Sequence, residues 1–284
     1  MPELPEVETI ARGLAKRVIG DVIESVWLGS KPEPLKSPAK EIAKVLEGSR
    51  IADVQRVGKH IVFDLDRVVR TPPSAKKKSS AKGDHPEKAQ WVVHLGMTGR
   101  MLVNDPTDEL AKHTHLVATL KSGRELRFVD PRRLGRLSVA YGFEPGGKEP
   151  LDVSLQDFIP LFRGRKTPIK SALLNQKLLR GVGNIYADES LFRTGVRPTR
   201  KAASLKKDDL ARLHPAIQEV LREAIKLGGS TVSDYVDSDG EEGFFQLQHR
   251  VYGREGELCL VCRTPIKRVV IAGRSSHYCP KCQK

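Results

Sequence analysis

Apolar residues Val7, Ile10, Ala11, Leu14, Ala15, Val18 and Ile19 recur at intervals of three and four, which predicts an amphipathic helix at the start of the chain. Gly20 is placed to end it, and Glu3, Glu6 and Glu8 sit where acids complement the helix dipole. A second short helix is predicted over 38–46. The pattern then shortens to strand-length apolar runs at 22–28, 51–57, 60–65, 90–95, 101–103, 116–120, 124–129 and 137–141. Turn signals such as Val57-Gly58-Lys59 and Ser122-Gly123 separate them. Residues 1–148 therefore read as a β-sandwich or barrel carrying the N-terminal helix. From about Leu151 the period turns helical, over 155–162, 169–176, 185–193 and 208–227. A Gly/Pro cluster at 146–150 marks the boundary, and a helical domain is expected over 151–235. A turn-rich segment, 228–243, leads to a C-terminal unit over 244–284. The stretch 71–88 is rich in Lys, Ser and Pro with no large apolar residue, so it is expected to be a mobile loop. The fold class expected is α+β.

The C-terminal unit holds all four cysteines, spaced Cys259-x2-Cys262-x16-Cys279-x2-Cys282. Each C-x2-C pair offers two thiolates from one tight turn, and an intervening hairpin brings the pairs together, so one structural zinc and a zinc-ribbon hairpin are predicted. Two disulfides or four free thiols are the alternative, better suited to a small secreted cysteine-dense chain. Four thiolates saturate a tetrahedral metal, which argues against a catalytic zinc.

Charge changes the picture next. Lys plus Arg number 49 against 35 Asp plus Glu, a formal net charge of +14. Such a surplus points to a polyanionic partner, although on charge alone a merely soluble basic protein stays open. No run of 18 apolar residues and no signal-like N-terminus is present, so neither a membrane span nor secretion is expected, and zinc-bound thiolates fit the cytoplasm.

Candidate chemistry lies in the opening MPELPEVETI. Methionine before proline is normally removed, leaving Pro2 as a secondary amine at a helix start. Such an amine attacking an aldehyde-like carbon yields a cationic iminium, an electron sink that drives elimination. A carboxylic acid beside it, Glu3 or Glu6, is what general-acid catalysis needs. On the residues alone, an ordinary acidic helix cap is the better explanation of the segment.

The segments MPELPEVETIARGL, VGKHIVFDL, HLGMTGRM, FVDPRRLGR, NQKLLRGVGNIYADESLF, the Phe244-Phe245-Gln246 stretch and VYGREGELC…YCPKCQK occur in order across the whole chain. Together they resemble the formamidopyrimidine-DNA glycosylase family, the bacterial MutM repair enzymes. The resemblance implies an N-terminal β-sandwich, a helix–two-turn–helix domain and a zinc ribbon. It implies excision of oxidised purines (8-oxoguanine and formamidopyrimidines) from damaged or abasic double-stranded DNA by a monomer in the bacterial cytoplasm, at the nucleoid. Pro2 matches the family's nucleophile at the deoxyribose C1′, and Glu3 its general acid and proton shuttle. Lys59 matches the lysine assigned to the first, β-elimination. Arg274 matches the hairpin arginine that holds phosphate and assists the second, δ-elimination. Lys170, Arg165 and His113 align with DNA-contacting positions. Asn184 follows the glycines of GVGN, where a helix N-terminus offers N–H groups to phosphate. Met97, Arg132 and Leu134 match the trio that fills the gap behind a flipped base. Two departures stand out: Leu134 where the family usually has Phe, and the insertion 71–88. An endonuclease VIII-like enzyme for oxidised pyrimidines, or a zinc-ribbon DNA binder without catalysis, are the rival readings.

Overall fold

The computed structural model describes residues 2–67, 88–231, 238 and 241–284. The expected loop at 71–88 lies, but for Lys88, outside these residues, as does most of 232–240 within the turn-rich segment. The opening helix, α1 (Leu4–Val18), begins where the acids predict: Glu6 reaches back to accept the Glu3 N–H at 2.8 Å, satisfying a donor the helix cannot. It ends before Gly20, whose φ of 88° lets the chain reverse onto Ile51.

The next elements are β1 (Ile23–Leu28), α2 (Ala39–Leu46), β2 (Ser49–Val57), β3 (His60–Arg67), β4 (Ala89–His94), β5 (Arg100–Asn104), β6 (Thr114–Leu120), β7 (Glu125–Val129) and β8 (Arg136–Tyr141). They form two four-stranded antiparallel sheets, ordered β1-β6-β7-β5 and β2-β3-β4-β8. Alternating inward residues such as Ile61, Phe63, Trp91, Val93, Leu116, Ala118, Leu126 and Phe128 share one core, with Phe63 stacked on Trp91 at 4.6 Å. This is a sandwich rather than a barrel.

The helical part follows as α3 (Leu155–Phe158) with a 3-10 turn (Ile159–Phe162), α4 (Ile169–Leu173), α5 (Asn184–Thr194) and α6 (Lys207–Lys226). The helix expected over 155–162 is split because Pro160 has no N–H to continue it. These elements close a second core around Phe158, Phe162, Tyr186, Leu213 and Leu221. The seam is α1 itself: Leu4 belongs to the helical core, while Val7, Ile10 and Leu14 belong to the sandwich. The connection at 146–150 is far from slack. Lys148 exchanges backbone hydrogen bonds with Leu178 and Arg180 at 2.8 and 3.0 Å. The Glu149 carboxylate gathers Arg56, Arg180 and the Gly58 N–H at 2.7–2.9 Å.

The chain ends in a hairpin of β9 (Lys267–Ile271) and β10 (Arg274–Tyr278). Ala272 and Gly273, at φ 47° and 75°, make the two-residue turn whose positive φ values suit strand twist.

Candidate active site

Gly181, Val182 and Gly183 lead into α5, and the start of α1 lies against them. Leu4 N–H donates to the Gly181 carbonyl at 3.0 Å, and Ile185 N–H, in the first turn of α5, donates to Glu3 Oε1 at 3.1 Å. The helix N-terminus expected to greet a phosphate therefore receives a carboxylate of this chain first. The two glycines make that approach possible. A Cβ on Gly183 would lie 2.1 Å from Glu3 Cδ, and one on Gly181 2.8 Å from a Leu4 methyl.

Glu3 is 4 % exposed and Lys59 8 % exposed. Burial pushes the Glu3 carboxyl up to about 7, with the nearby Lys59 ammonium pulling it down and Glu6 pushing it further up. Burial likewise holds the Lys59 amine below the ordinary lysine range, opposed by Glu3 and Glu6. A carboxyl poised near neutrality beside a lysine held below its ordinary range has the chemistry to give up or take a proton. Pro2, immediately before Glu3, is buried at the same place.

Lys59 sits on the β2–β3 turn, where Gly58 takes φ 61° and the Glu149 cluster grips the backbone. Glu3, Lys59, Asn184, Met97 and Arg274 all line one cleft of about 450 Å3 between sandwich, α5 and zinc hairpin. Within it, Glu3 Oε2 and Asn184 Oδ1 are buried without a protein partner among the described residues, so polar atoms in its floor remain available to a substrate.

Beside the cleft stand the loops of Met97 and of Arg132 and Leu134. Asp130, fully buried, accepts from Thr98 Oγ1 at 2.6 Å, from Arg132 N–H at 3.2 Å and from Gly135 N–H at 2.7 Å. That single carboxylate ties the Met97 loop to the Arg132–Leu134 loop. Met97 and Leu134 are each 43 % exposed, large apolar side chains left facing solvent, and Arg132 is exposed too.

Other candidates separate. His113 is exposed in a second cleft with Trp27, Lys31, Lys112 and Arg133. Arg165 is exposed, its Nε anchored to the Leu161 carbonyl at 2.6 Å, which leaves its outer nitrogens free to reach outward. Lys170 corrects the expectation of a DNA contact. Its side chain is fully buried, its Nζ 2.6 Å from Asp188 and 2.8 Å from the Ser275 carbonyl, so its charge is spent inside the protein.

Residues that sequence reasoning did not single out include the cleft-lining His60, His94, Gln176, Arg180 and Tyr252, and the supports Glu149 and Glu189. Glu6 accepts the Tyr186 hydroxyl and the Ser230 N–H, fixing the first turn of α1. Glu189 receives three consecutive N–H groups, from Arg250, Val251 and Tyr252, at 2.9–3.0 Å. Of the residues not singled out, all but Glu149 lie within the motif segments quoted above.

The cysteine Sγ atoms all lie within 4.8 Å of one another, with Cys262–Cys279 at 3.4 Å and Cys259–Cys282 at 3.9 Å. A tetrahedral tetrathiolate zinc has S–S edges of about 3.8 Å, so the donor set fits one structural zinc.

Residues 1–137 match the formamidopyrimidine-DNA glycosylase N-terminal domain, 147–236 its H2TH domain, and 256–284 the zinc finger found in FPG and IleRS. The chain belongs to the formamidopyrimidine-DNA glycosylase family. It is 43 % identical to the formamidopyrimidine-DNA glycosylase of Solibacter usitatus and 39 % identical to that of Bacillus subtilis, covering 100 % of itself in each case and 100 % and 99 % of those proteins. The crystal structure of MutM (Fpg) from Thermus thermophilus superposes with a TM-score of 0.82 at 39 % identity, over 99 % of this chain and 98 % of that one. A Lactococcus lactis Fpg variant bound to Fapy-dG-containing DNA superposes with a TM-score of 0.86 at 30 % identity over 100 % of both chains. The fold class and the family's zinc ribbon thus agree with the reading from sequence. Among the described residues no helix is long and apolar enough to cross a membrane.

Proposed function

We infer that this family member is a bifunctional DNA glycosylase and abasic-site lyase of base excision repair, acting on oxidised purines in duplex DNA. The observation that carries this reading is a buried carboxyl poised near pH 7, directly after Pro2 and sharing with a buried lysine a cleft large enough for a base. The Lactococcus lactis relatives bound to Fapy-dG DNA and to abasic-site DNA support the lesion class.

Once Met1 is removed, the Pro2 nitrogen lone pair attacks C1′, the bond from C1′ to the damaged base breaks, and the proton shed by the Pro2 nitrogen neutralises the departing base. Glu3 supplies a proton as the sugar ring opens, and the nitrogen becomes an iminium. Loss of a C2′ proton to a neighbouring base then expels the 3′ phosphate. Lys59 is the amine best placed to assist, since burial favours its neutral form. A second proton loss expels the 5′ phosphate, which Arg274 holds through its guanidinium. Met97, Arg132 and Leu134 occupy the gap left in the duplex. Thiolates kept reduced for zinc favour the bacterial cytoplasm, beside the nucleoid, as the place of action.

Borohydride reduction on abasic-site DNA is the test. The wild type is expected to form a trapped covalent adduct, and Pro2→Gly to lose it while keeping zinc and DNA affinity. Undiminished trapping in that variant refutes the nucleophile. Faster release of thymine glycol than of 8-oxoguanine opposite cytosine would instead favour the pyrimidine-directed reading.

A further inference from the structure

The outer edge of β10 carries backbone groups that no third strand satisfies. Because the hairpin turns on Ala272 and Gly273, Ile271 and Arg274 are the hydrogen-bonded pair beside the turn. Bonded pairs alternate along an antiparallel ladder, so Ser276 and Tyr278 bond β9 while Ser275 and His277 turn their N–H and C=O groups outward. Two side chains from the helical domain meet them. Lys170 of α4 donates to the Ser275 carbonyl at 2.8 Å, and Asp188 of α5 accepts the His277 N–H at 2.8 Å. Lys170 Nζ and Asp188 Oδ1 stand 2.6 Å apart with both side chains fully buried. One donor and one acceptor, locked as an ion pair, thereby take the positions of a third strand.

The same helix that holds Glu3 through the Ile185 N–H holds the hairpin through Asp188, less than one turn further on. Arg274 directly precedes Ser275, the residue Lys170 grips. An apolar pair would fill this space as well, but it would give β10 no directional bond and leave the hairpin free to slide. The other titratable or charged groups facing the pair are Glu3, which attracts Lys170, Arg274, which repels it, Glu189 on the Asp188 side, and the His277 imidazole, whose Nδ1 is 3.5 Å from Asp188.

We propose that Lys170 and Asp188 are positioning residues that set the height of Arg274 over Glu3 and Lys59, and thereby control the second elimination more than the first. This rests on the lyase reading above. Asp188→Asn keeps an acceptor for His277 and removes the charge, whereas Lys170→Met/Asp188→Leu removes both charges and leaves no buried ion unpaired. The measurement is the ratio of 3′-phosphate to 3′-unsaturated-aldehyde ends on preformed abasic-site DNA, beside zinc content and amide hydrogen exchange over 273–277. At full zinc loading, the double variant is expected to lower that ratio at least fivefold and to speed exchange at His277 at least tenfold. Adding Arg274→Ala to it should lower the ratio no further. An unchanged ratio and unchanged exchange, or additive effects with Arg274→Ala, overturn the proposal while wild-type nicking still upholds the lyase reading. If the wild type neither traps nor nicks, the lyase reading fails instead, and unchanged exchange at His277 still overturns the positioning role.

Discussion

Replacing Gly183 by alanine places a methyl where the Glu3 carboxyl now lies. Its Cβ would stand 2.1 Å from Glu3 Cδ and 2.4 and 2.5 Å from the two carboxylate oxygens, whereas ordinary contact begins at 3.4 Å. Glu3 must therefore retreat by roughly 1.3 Å, the gap between 2.1 and 3.4 Å, and give up the Ile185 N–H. The backbone does not resist, since Gly183 has φ −128° and ψ −163°, a region open to any residue. A displacement of about 1 Å in a catalytic group costs on the order of 100-fold in rate, or about 2.7 kcal/mol of barrier. Stability should change little, because alanine also restricts the unfolded chain; a Tm shift within about 4 °C corresponds to about 1 kcal/mol at this size. Single-turnover excision of 8-oxoguanine, with a melting curve beside it, reads both quantities. Gly181→Ala supplies the contrast: at φ 99° and against Leu4, it should cost about 1–3 kcal/mol of strain and lower Tm clearly. Excision by Gly183→Ala within threefold of wild type would refute the claim that this glycine exists to seat the catalytic acid.

Burial raises the Glu3 carboxyl from 4.5 to about 7, so its acid form should support base loss below that pH and fail as pH rises through it, and Glu3→Gln should remove that limb of the rate profile. The same shift makes Glu3's contribution to stability full below pH 4.5 and lost as pH rises through about 7, which urea unfolding of wild type against Glu3→Gln will register. With Lys170 enclosed and Lys59 favoured in its neutral form, Arg132, Arg165 and Arg274 remain as cations to meet phosphate, and log K against log salt should fall with a slope of about −2.7. Lys170→Met should leave that slope unchanged while Arg165→Ala reduces it by about one; the reverse pattern would restore Lys170 as a contact. Cys279→Ser should lose zinc and DNA binding together, because the hairpin has only a small apolar core around Val251, Ile266 and the cysteines; full binding without metal would refute a structural role for zinc.

Periodicity and punctuation determined the elements. The 3.6-residue repeat of α1, its stop at Gly20, eight short strands and the C-x2-C pairs are local patterns, and local sterics and burial suffice to read them. The resemblance likewise named Pro2, Glu3 and Lys59, each in a contiguous motif, and Arg274, five residues before Cys279. What the tertiary structure alone decided is how distant groups change one another. Glu3 becomes an acid near neutrality because α5, some 180 residues later, buries it against Gly183. Glu149, read as part of a linker, becomes the clasp of the Lys59 turn. Lys170, which in sequence looks like any basic residue of a DNA-binding protein, is enclosed by α5 and the hairpin edge and loses its access to DNA. Charge and residue type are properties of the sequence, but burial, partner and pKa belong to the space around a side chain, and that space is assembled from segments that share no local pattern.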